Sequence, residues 1–364
     1  MRLTRQKKTG TVVGLDIEAG SIAATEVRGN GSPQVTASAI GPLPPGAFHE
    51  GEVLDGDSLA GALKALFAEH KLAKQVRLGV GNQRVVVRTL RLPAIEDPKE
   101  MQAAVRFQAQ EQMPMPLDQA VLEHQVVGGV PAEEGSTPQV DVVVVAARRD
   151  MVSSFVDPIR RAGLEPVGVD LSAFGMIRAL ADTVLVNGGG EDDGGEHDQR
   201  RAGTVLYCNV GDVTNLAVAR GRACLFTRVS HVGLEAISAR LGSARELEAE
   251  AAMQWLLHVG LEQPTEAVEG DPEMVAESRR ALEEGVAALT DELRLSLDYY
   301  GAQEGAVPVE QIVLCGPGSA IAGLAGRMEG LGLPIGVSRP SALAAMDDAA
   351  AARLTLPYGL ALES

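Results

Sequence analysis

This sequence contains few cysteines and no long apolar run. The three cysteines, an odd number without C-x-x-C spacing, favour a reducing compartment and thiols that fill a core. The six histidines do not cluster with them, so no zinc site is expected. No stretch approaches the roughly 20 apolar residues of a membrane span, and the basic segment 1–10 lacks the apolar core of a signal peptide. We therefore expect a cytoplasmic protein without direct membrane insertion.

Positive charge is also scarce. The chain has 32 Lys and Arg against 49 Asp and Glu, which gives a formal net charge of −17. Nucleic acids and anionic membranes bind to basic faces, so the charge balance argues against both as direct partners. A phosphate group would have to be bound by local backbone amides and helix N-termini.

Aromatic residues are few, but apolar residues are not. One Trp, four Tyr and six Phe leave the cores to Ala, Val and Leu, which contribute to a hydrophobic content of 45%. A chain of 364 residues is too long for one small domain, so we expect two domains or lobes.

Apolar patterning predicts mixed α/β structure. Helical spacing of apolar residues indicates helices near 58–70, 97–112 and 150–162, the second ended by the prolines of "MPMPL". β-Branched runs predict strands at 75–81, 85–92, 140–148 and 166–171. Alternation within the strand at 85–92 places Arg88 and Arg91 on different faces.

Two halves of the chain repeat one pattern. "GTVVGLDIEAGSIAATEV" (10–27) is an apolar strand, a turn of acidic and small residues, and a second strand, and 204–223 repeats that order. The Gly-rich, charged stretch 187–202 between the halves is predicted to be a flexible interlobe loop. An internal duplication with a nucleotide between its lobes is the simplest interpretation.

Three short stretches are candidates for that nucleotide site. Small residues let backbone amides approach an anion, and a carboxylate holds a metal through water. Alternatives are an Asx turn at Asp16, a tight hairpin at Gly211 and an ordinary strand–helix glycine at Gly316. Each signal is weak alone, but the three occur in order on duplicated lobes. The candidate nucleotide-binding residues are Asp16, Gly20, Ser21, Asn209, Gly211, Thr214, Gly316 and Gly318. No G-x-G-x-x-G follows the first strand, which excludes a dinucleotide-binding fingerprint.

These stretches resemble the nucleotide motifs of the actin-like ATPase superfamily and, within it, the PilM family of type IV pilus assembly proteins, which is related to FtsA. "GLDIEAGSIAATEV" is similar to phosphate-1, "NVGDVTNLAV" to phosphate-2 and "IVLCGPGSAIAGL" to the adenosine motif. More specific are "GPLPPGAFHEGEVLD" and "LRLPAIEDPKEMQAAVRFQAQEQMPMPLDQ", the latter similar to the family's 1C helix. The resemblance implies a duplicated actin-like, ribonuclease H-like two-lobe fold with a 1C subdomain.

The resemblance also implies a division of the chain. We expect a flexible N-terminus (1–10), subdomain 1A (11–83, 164–186 and 341–364), subdomain 1C (84–163), the interlobe loop (187–202), subdomain 2A (203–240 and 301–340) and subdomain 2B (241–300).

A partner follows from the same resemblance. Family members bind the N-terminal cytoplasmic tail of PilN, an inner-membrane protein, in a groove between 1A and 1C, which connects them to the pilus assembly ATPase complex. The chain would then lie at the inner membrane through its partners. The residues that we expect to contact the tail are Arg88, Arg91, Arg106, Phe107 and Gln110. The alternative for Phe107 is an ordinary core position.

The chain departs from the family pattern in the expected cleft. Glu18 replaces a phosphate-contacting glycine of D-I-G-S-S-S-V-K, and Ala23 replaces its lysine. Asn209 stands for the phosphate-2 aspartate, and Ser172 for a glutamate. Asp16 and Asp170 remain the candidate catalytic carboxylates, with Asp16 a candidate for Mg²⁺ through water. We expect weak or absent binding of ATP and Mg²⁺.

Three functions are consistent with these residues. The first is a non-enzymatic scaffold of a type IV pilus or related type II secretion machine with a degenerate cleft. The second is an active ATP-binding ATPase whose lobe closure regulates pilus assembly. The third, an FtsA-like membrane-tethered filament, is disfavoured because the sequence ends "LTLPYGLALES", without a basic apolar tail.

Overall fold

The computed structural model describes residues 10–29, 33–130, 137–183, 203–303 and 305–362. The strands, in chain order, are β1 (Thr11–Glu18), β2 (Ser21–Arg28), β3 (Gln34–Pro42), β4 (Phe48–His49), β5 (Glu52–Val53), β6 (Gln75–Val80), β7 (Val85–Pro93), β8 (Ala120–Val130), β9 (Gln139–Arg148), β10 (Glu165–Leu171), β11 (Thr204–Val210), β12 (Thr214–Arg220), β13 (Ala223–Ser230), β14 (Gln311–Cys315) and β15 (Ile335–Val337). The α-helices are α1 (Gly56–Glu69), α2 (Pro98–Gln112), α3 (Arg149–Arg161), α4 (Ser172–Leu180), α5 (Leu234–Arg245), α6 (Ala249–Val259), α7 (Pro272–Gly301) and α8 (Asp348–Ala361). The flexible segments predicted at 1–10 (apart from Gly10) and 187–202 lie outside the described residues.

Two five-stranded sheets share one topology. The first has the order β10-β6-β1-β2-β3 and the second the order β13-β12-β11-β14-β15. In each, three antiparallel strands form a meander and the remaining two strands run parallel to the first strand of the meander. The predicted duplication is therefore confirmed, and β1 and β11 are equivalent central strands.

A smaller sheet projects from the first lobe. It has the order β7-β9-β8 with antiparallel pairing, so β7 is an edge strand. Helix α2 covers one face through Met101, Val105 and Ala109, which pack on Leu90 and Leu92 of β7. The helix begins where Asp97 caps the amides of residues 99 and 100, and it ends at Met113. The predicted helix at 97–112 is confirmed, and so is the division of Arg88 and Arg91 between two faces of β7.

The two lobes share a core. Helices α4 and α8 lie between the five-stranded sheets and bury side chains of both, including Ala23 of β2, Tyr207 of β11 and Leu360 of α8. Helices α5, α6 and α7 cover the opposite face of the second sheet. The cysteines Cys208, Cys224 and Cys315 are buried and unbridged, as the sequence predicts. Within the described ranges, no helix is both long and apolar enough to cross a membrane.

Candidate functional site

The turns after β1 and after β11 meet between the lobes. The central strands β1 and β11 each end in a tight turn to the next strand. Because the two sheets are equivalent, these two turns face each other across the cleft. Gly20 has φ of +85°, a conformation that side chains disfavour, and it allows the tight turn into β2. A Cβ atom on Gly211 would overlap the Glu18 carboxylate and lie 3.4 Å from its Cδ. The lobes therefore touch at the position expected for a triphosphate.

Two carboxylates cross between these turns in opposite directions. The Ala19 backbone N–H in the first turn donates a hydrogen bond to Oδ2 of Asp212 in the second. The Glu18 carboxylate extends from the first turn and lies against Gly211 of the second. A carboxyl oxygen supplied by the chain itself thus occupies an amide that could otherwise bind phosphate.

Arg353 lies beneath the first turn. It extends from α8, its side chain is only 8% exposed, and its guanidinium pairs with the Asp16 carboxylate. Its Nε lies 3.3 Å from Glu18 Oε2 and donates to Ser21 Oγ at 3.2 Å. The carboxylate expected to hold Mg²⁺ through water is therefore already bound by a cation.

Burial dominates the electrostatics of this cluster. Desolvation raises the pKa of Asp16, although the charge of Arg353 opposes the shift. Desolvation raises the pKa of Glu18 to about 7, and it holds the pKa of Asp212 well above the usual range. Three buried carboxyl groups around one guanidinium carry more negative charge than a single Arg neutralises, so proton binding is favoured.

The space left between the turns is small. The cavity measures about 20 Å³ and is lined by residues of both lobes, among them Asp16, Glu18, Ser172, Asn209 and Asp212. A volume of this size holds about one water molecule, whereas pockets for small organic ligands measure roughly 300–1,000 Å³. The closed cleft does not fit an ATP–Mg²⁺ complex. Nowhere in the described part of the chain are three or more His, Cys, Asp or Glu side chains grouped to hold a metal ion.

The predicted adenosine loop packs against the end of β11. Gly316 has φ of +78°, and a Cβ atom there would lie 2.9 Å from Asn209 Cγ. A Cβ atom on Gly318 would lie 2.8 Å from Val210 Cβ. The structure therefore brings both glycines to Asn209 and the second turn. The Thr214 hydroxyl, another predicted nucleotide contact, donates to the Val232 carbonyl at 2.6 Å.

Asp170 does not line the small cavity, although the sequence offered it as a catalytic carboxylate. Its carboxylate pairs with Arg178 of α4 and accepts a hydrogen bond from the Leu171 backbone N–H at 2.8 Å. Both side chains of the pair are largely buried, with exposures of 11% and 15%. Asp170 is thus held beside α4, and Ser172, two residues later, borders the small cavity.

A larger cavity lies along the edge of β7. It measures about 380 Å³ and is bounded by residues 80–88, by β10 and α4, and by Thr227, Arg228 and Val229 of β13. The two neighbouring strands, β7 and β13, are both edge strands of their sheets. The cavity therefore has walls from both lobes and from the small sheet.

The predicted partner residues divide between two surfaces. Arg88 lines the large cavity, whereas Arg91 pairs with Asp141 at 3.0 Å farther along β7. Arg106, Phe107 and Gln110 lie on α2; Arg106 is exposed, and Gln110 is exposed beside it. Phe107 is 70% exposed, so the alternative that it belongs to the core is wrong.

A family model for the type IV pilus assembly protein PilM matches residues 14–355. The chain belongs to the PilM family. The matched residues include the turns after β1 and β11, Arg353 and the β7 edge.

Solved structures agree with this assignment. A PilM–PilN type IV pilus biogenesis complex is 26% identical, with a TM-score of 0.77 and coverage of 97% of this chain and 98% of that chain. The ethanolamine utilization protein EutJ from Carboxydothermus hydrogenoformans is 14% identical, with a TM-score of 0.54 over 97% of this chain and 89% of that chain. MreB5 of Spiroplasma citri bound to ADP is 11% identical, with a TM-score of 0.52 over 96% and 95%. This member of the PilM family has the two-lobe actin-like fold.

The sequence did not reveal three residues of the site. These residues are Asp212, Arg353 and Glu235. The Glu235 carboxylate lies 2.6 Å from His49 Nδ1 across the cleft. Each of the three contacts a residue roughly 190 to 340 positions away in the sequence. One available signal was Arg353 itself, a single cation within the otherwise apolar "AAARLTLPYGLAL". An unpaired Arg is costly in such a segment, so a buried acidic partner was to be expected.

Proposed function

We propose that this PilM-family protein is a non-enzymatic scaffold of a type IV pilus machine, or of a related type II secretion machine. In this proposal it is cytoplasmic and binds the N-terminal tail of a PilN-like inner-membrane protein. That tail connects it to the membrane and to the assembly ATPase complex. The observation that carries the proposal is the likeness to a PilM–PilN complex over nearly the whole chain, with a TM-score of 0.77.

The β7 edge is the proposed contact for the tail. An extended peptide adds main-chain hydrogen bonds to an edge strand and fills neighbouring pockets with alternate side chains. Val85, Val86 and Val87 give the cavity apolar walls, and Arg88 adds a cation at its rim. Arg88 donates to the Val87 carbonyl at 2.9 Å and, within the described ranges, forms no ion pair, so its charge is available to a peptide carboxylate or carbonyl. Arg106, Phe107 and Gln110 on the exposed side of α2 form the second part of the proposed surface, and Arg91 lies on the face of the small sheet that α2 does not cover.

Arg88→Glu should weaken binding of a synthetic peptide with the N-terminal residues of the PilN-like protein by tenfold or more, about 1.4 kcal/mol. The reason is that the substitution replaces an attractive charge at the cavity rim by a repulsive one. Fluorescence anisotropy with the full chain measures the affinity.

Two further variants locate the surface. Phe107→Ala removes an exposed apolar side chain from α2 and tests the second part of the surface separately. Arg280→Glu makes the same charge change as Arg88→Glu on α7, where Arg280 is 63% exposed, and should leave the affinity unchanged. Full affinity in both Arg88→Glu and Phe107→Ala would contradict the proposed site.

The cleft is proposed to have lost appreciable ATP turnover. An actin-like site needs carboxylates free to hold Mg²⁺ through water and a group that orients the attacking water. Here Asp16 is paired with Arg353, Asn209 carries no charge, and the cavity between the turns is about 20 Å³. Glu18 and Asp212 lie close to the expected phosphates, and in its ionised form each would repel a phosphate charge at about 4 Å by roughly 4 kcal/mol at an effective dielectric near 20.

Calorimetry with ATP–Mg²⁺ should therefore show weak or no binding, and a phosphate-release assay should show no appreciable turnover. Micromolar affinity together with steady turnover, abolished by Asp16→Ala, would contradict the scaffold proposal. That result would favour the alternative, an active ATPase whose lobe closure regulates pilus assembly.

A further inference from the structure

The two turns after β1 and β11 contact each other directly across the cleft. We propose that Asp212 and Glu18 form an internal latch, in which the Asp212 carboxyl binds the Ala19 amide, the Glu18 carboxyl packs against the second turn, and the two contacts together hold the lobes closed. The latch thereby fixes the width of the large cavity between β7 and β13. This second step rests on the proposed function of that cavity, whereas the latch itself does not.

The first argument is that the two contacts cross between the lobes in opposite directions. Ala19 N–H of the first lobe donates to the Asp212 carboxyl of the second, and the Glu18 carboxyl of the first lobe lies against Gly211 of the second. Each contact joins residues more than 190 positions apart, so both form only when the lobes are closed. Burial strengthens the hydrogen bond, because water does not compete for its donor and acceptor.

The second argument is that the latch is anchored in the first lobe. Arg353 lies 3.3 Å from Glu18 Oε2 through its Nε and is bonded to Asp16 and Ser21 on either side. The first lobe alone therefore holds the Glu18 side chain in the orientation that the closed state requires. Such preorganisation reduces the entropy lost on closure.

The third argument is the lack of space for a longer side chain in the second turn. Gly211 fits because it has no Cβ; with one, it would overlap the Glu18 carboxylate. On the other side of the cleft, a Cβ on Gly81 would lie 2.9 Å from Asn215 Cγ. The two surfaces are complementary at the level of single atoms, which indicates a contact built for closure.

Closure of the lobes determines the shape of the large cavity, because both lobes contribute to its walls. Its walls are β7 and the preceding loop on one side and Thr227–Val229 of the second lobe on the other. Gln83 Nε2 donates to the Val229 carbonyl at 3.2 Å, so one further bond spans the same gap. Opening of the lobes would widen this cavity and separate its walls. The latch would then stabilise the closed arrangement of the lobes through the chain's own carboxyl groups, as a ligand bound between two lobes does.

An outer contact provides a comparison. Glu235 on α5 lies 2.6 Å from His49 Nδ1 and accepts the Glu50 backbone N–H at 3.1 Å. This contact also joins the lobes, but the His49 side chain is 55% exposed. Exposed pairs contribute little because water and salt screen them. Loss of the outer contact should therefore matter less than loss of the latch.

The test measures the distance between the lobes directly. Spin labels are placed on the exposed sites Lys64→Cys of α1 and Glu283→Cys of α7, while the three native cysteines stay buried. Pulsed electron spin resonance then reports the distance distribution in the full chain. Asp212→Ala should add a longer-distance population, and Asp212→Asn, which keeps an acceptor for Ala19 N–H, should retain the wild-type distribution. Glu235→Gln should change it less than Asp212→Ala does.

A second readout does not depend on labels. Hydrogen exchange at the Ala19 amide should be at least about tenfold faster in Asp212→Ala than in wild type, because the buried hydrogen bond that protects the amide is lost. Unchanged distances and unchanged exchange in Asp212→Ala would overturn the latch. If Asp212→Ala fails to fold, Glu18→Gln, Glu18→Ala and Asp212→Asn are measured in the same way, and a wild-type distribution in Glu18→Ala would overturn it.

Peptide affinity separates the two steps of the inference. If the latch fixes the cavity, Asp212→Ala should bind the PilN-like peptide more weakly although it does not touch that cavity. Opened lobes with unchanged peptide affinity would overturn the link to the cavity. A wild-type protein that does not bind the peptide at all would instead contradict the proposed function and leave the distance result standing.

Discussion

Replacing Arg353 by alanine is expected to lower the free energy of unfolding by about 3–5 kcal/mol. The guanidinium is 8% exposed and its partner Asp16 is 9% exposed, so the pair is held out of water. Removal of Arg353 leaves the Asp16 carboxylate buried without a cation, and Glu18 loses its neighbour at 3.3 Å. It also leaves a cavity in α8, where the long side chain crossed beneath the first turn. Urea unfolding of the full chain measures the effect.

Two controls show whether the charge or the packing matters. Arg280→Ala removes a cation from an exposed pair on α7 and should change the free energy of unfolding by no more than about 0.5 kcal/mol. Arg353→Lys keeps the charge but loses the planar fork that reaches Asp16 and Ser21 together, so we expect an intermediate loss. A loss below about 1 kcal/mol in Arg353→Ala would show that Asp16 is not dependent on this partner.

The fold could be predicted because its signals are local. The two strand–turn–strand units, the α2 helix with its proline end and the strand at 140–148 each depend on residues within a short window. Once the duplication is seen, β1 and β11 must be equivalent strands, and their turns must face each other. Patterning alone does not predict the order of the strands in each sheet, because that order depends on pairing between distant segments.

The site could be predicted only in outline. The sequence located both turns, Asp16 and the loop at Gly316, because glycine and carboxylate at strand ends are visible locally. It could not locate Arg353 or Asp212, because their roles depend on contacts across the fold. Asp170 illustrates the opposite case, since its position on β10 suits a cleft but Arg178 draws its carboxylate toward α4.

Glu18 shows how one substitution can be interpreted only with its surroundings. From the sequence, a glutamate in a phosphate turn indicates repulsion of a triphosphate. In the structure the same side chain lies against Gly211 of the second lobe and beside Arg353, so it has partners of its own. The same side chain thus places a carboxyl group in the expected phosphate turn and supplies a contact between the lobes.

Helix α8 reaches the centre of the molecule through a close crossing with α4. A Cβ atom on Gly359 would overlap the Gly175 carbonyl oxygen and lie 2.7 Å from the carbonyl carbon. The neighbouring atoms belong to the backbone of a second helix, which cannot move aside as a flexible side chain does. A similar restriction exists at Gly14 of β1, where a Cβ atom would lie 2.7 Å from the Ala361 backbone nitrogen. Glycine at these positions sets the distance between α8, α4 and β1.

Gly359→Ala is therefore expected to lower the free energy of unfolding by about 3 kcal/mol, at the upper end of the cost of overpacking. Alanine is the better helix former by about 1 kcal/mol, so intrinsic propensity alone predicts the opposite sign. Gly61→Ala is the matched control, because Gly61 lies in α1 and has no atom within 4 Å of the added Cβ. That variant should gain about 0.5–1 kcal/mol. Urea unfolding of both variants separates the two effects, and a Gly359→Ala protein as stable as Gly61→Ala would show that α4 and α8 do not cross at this distance.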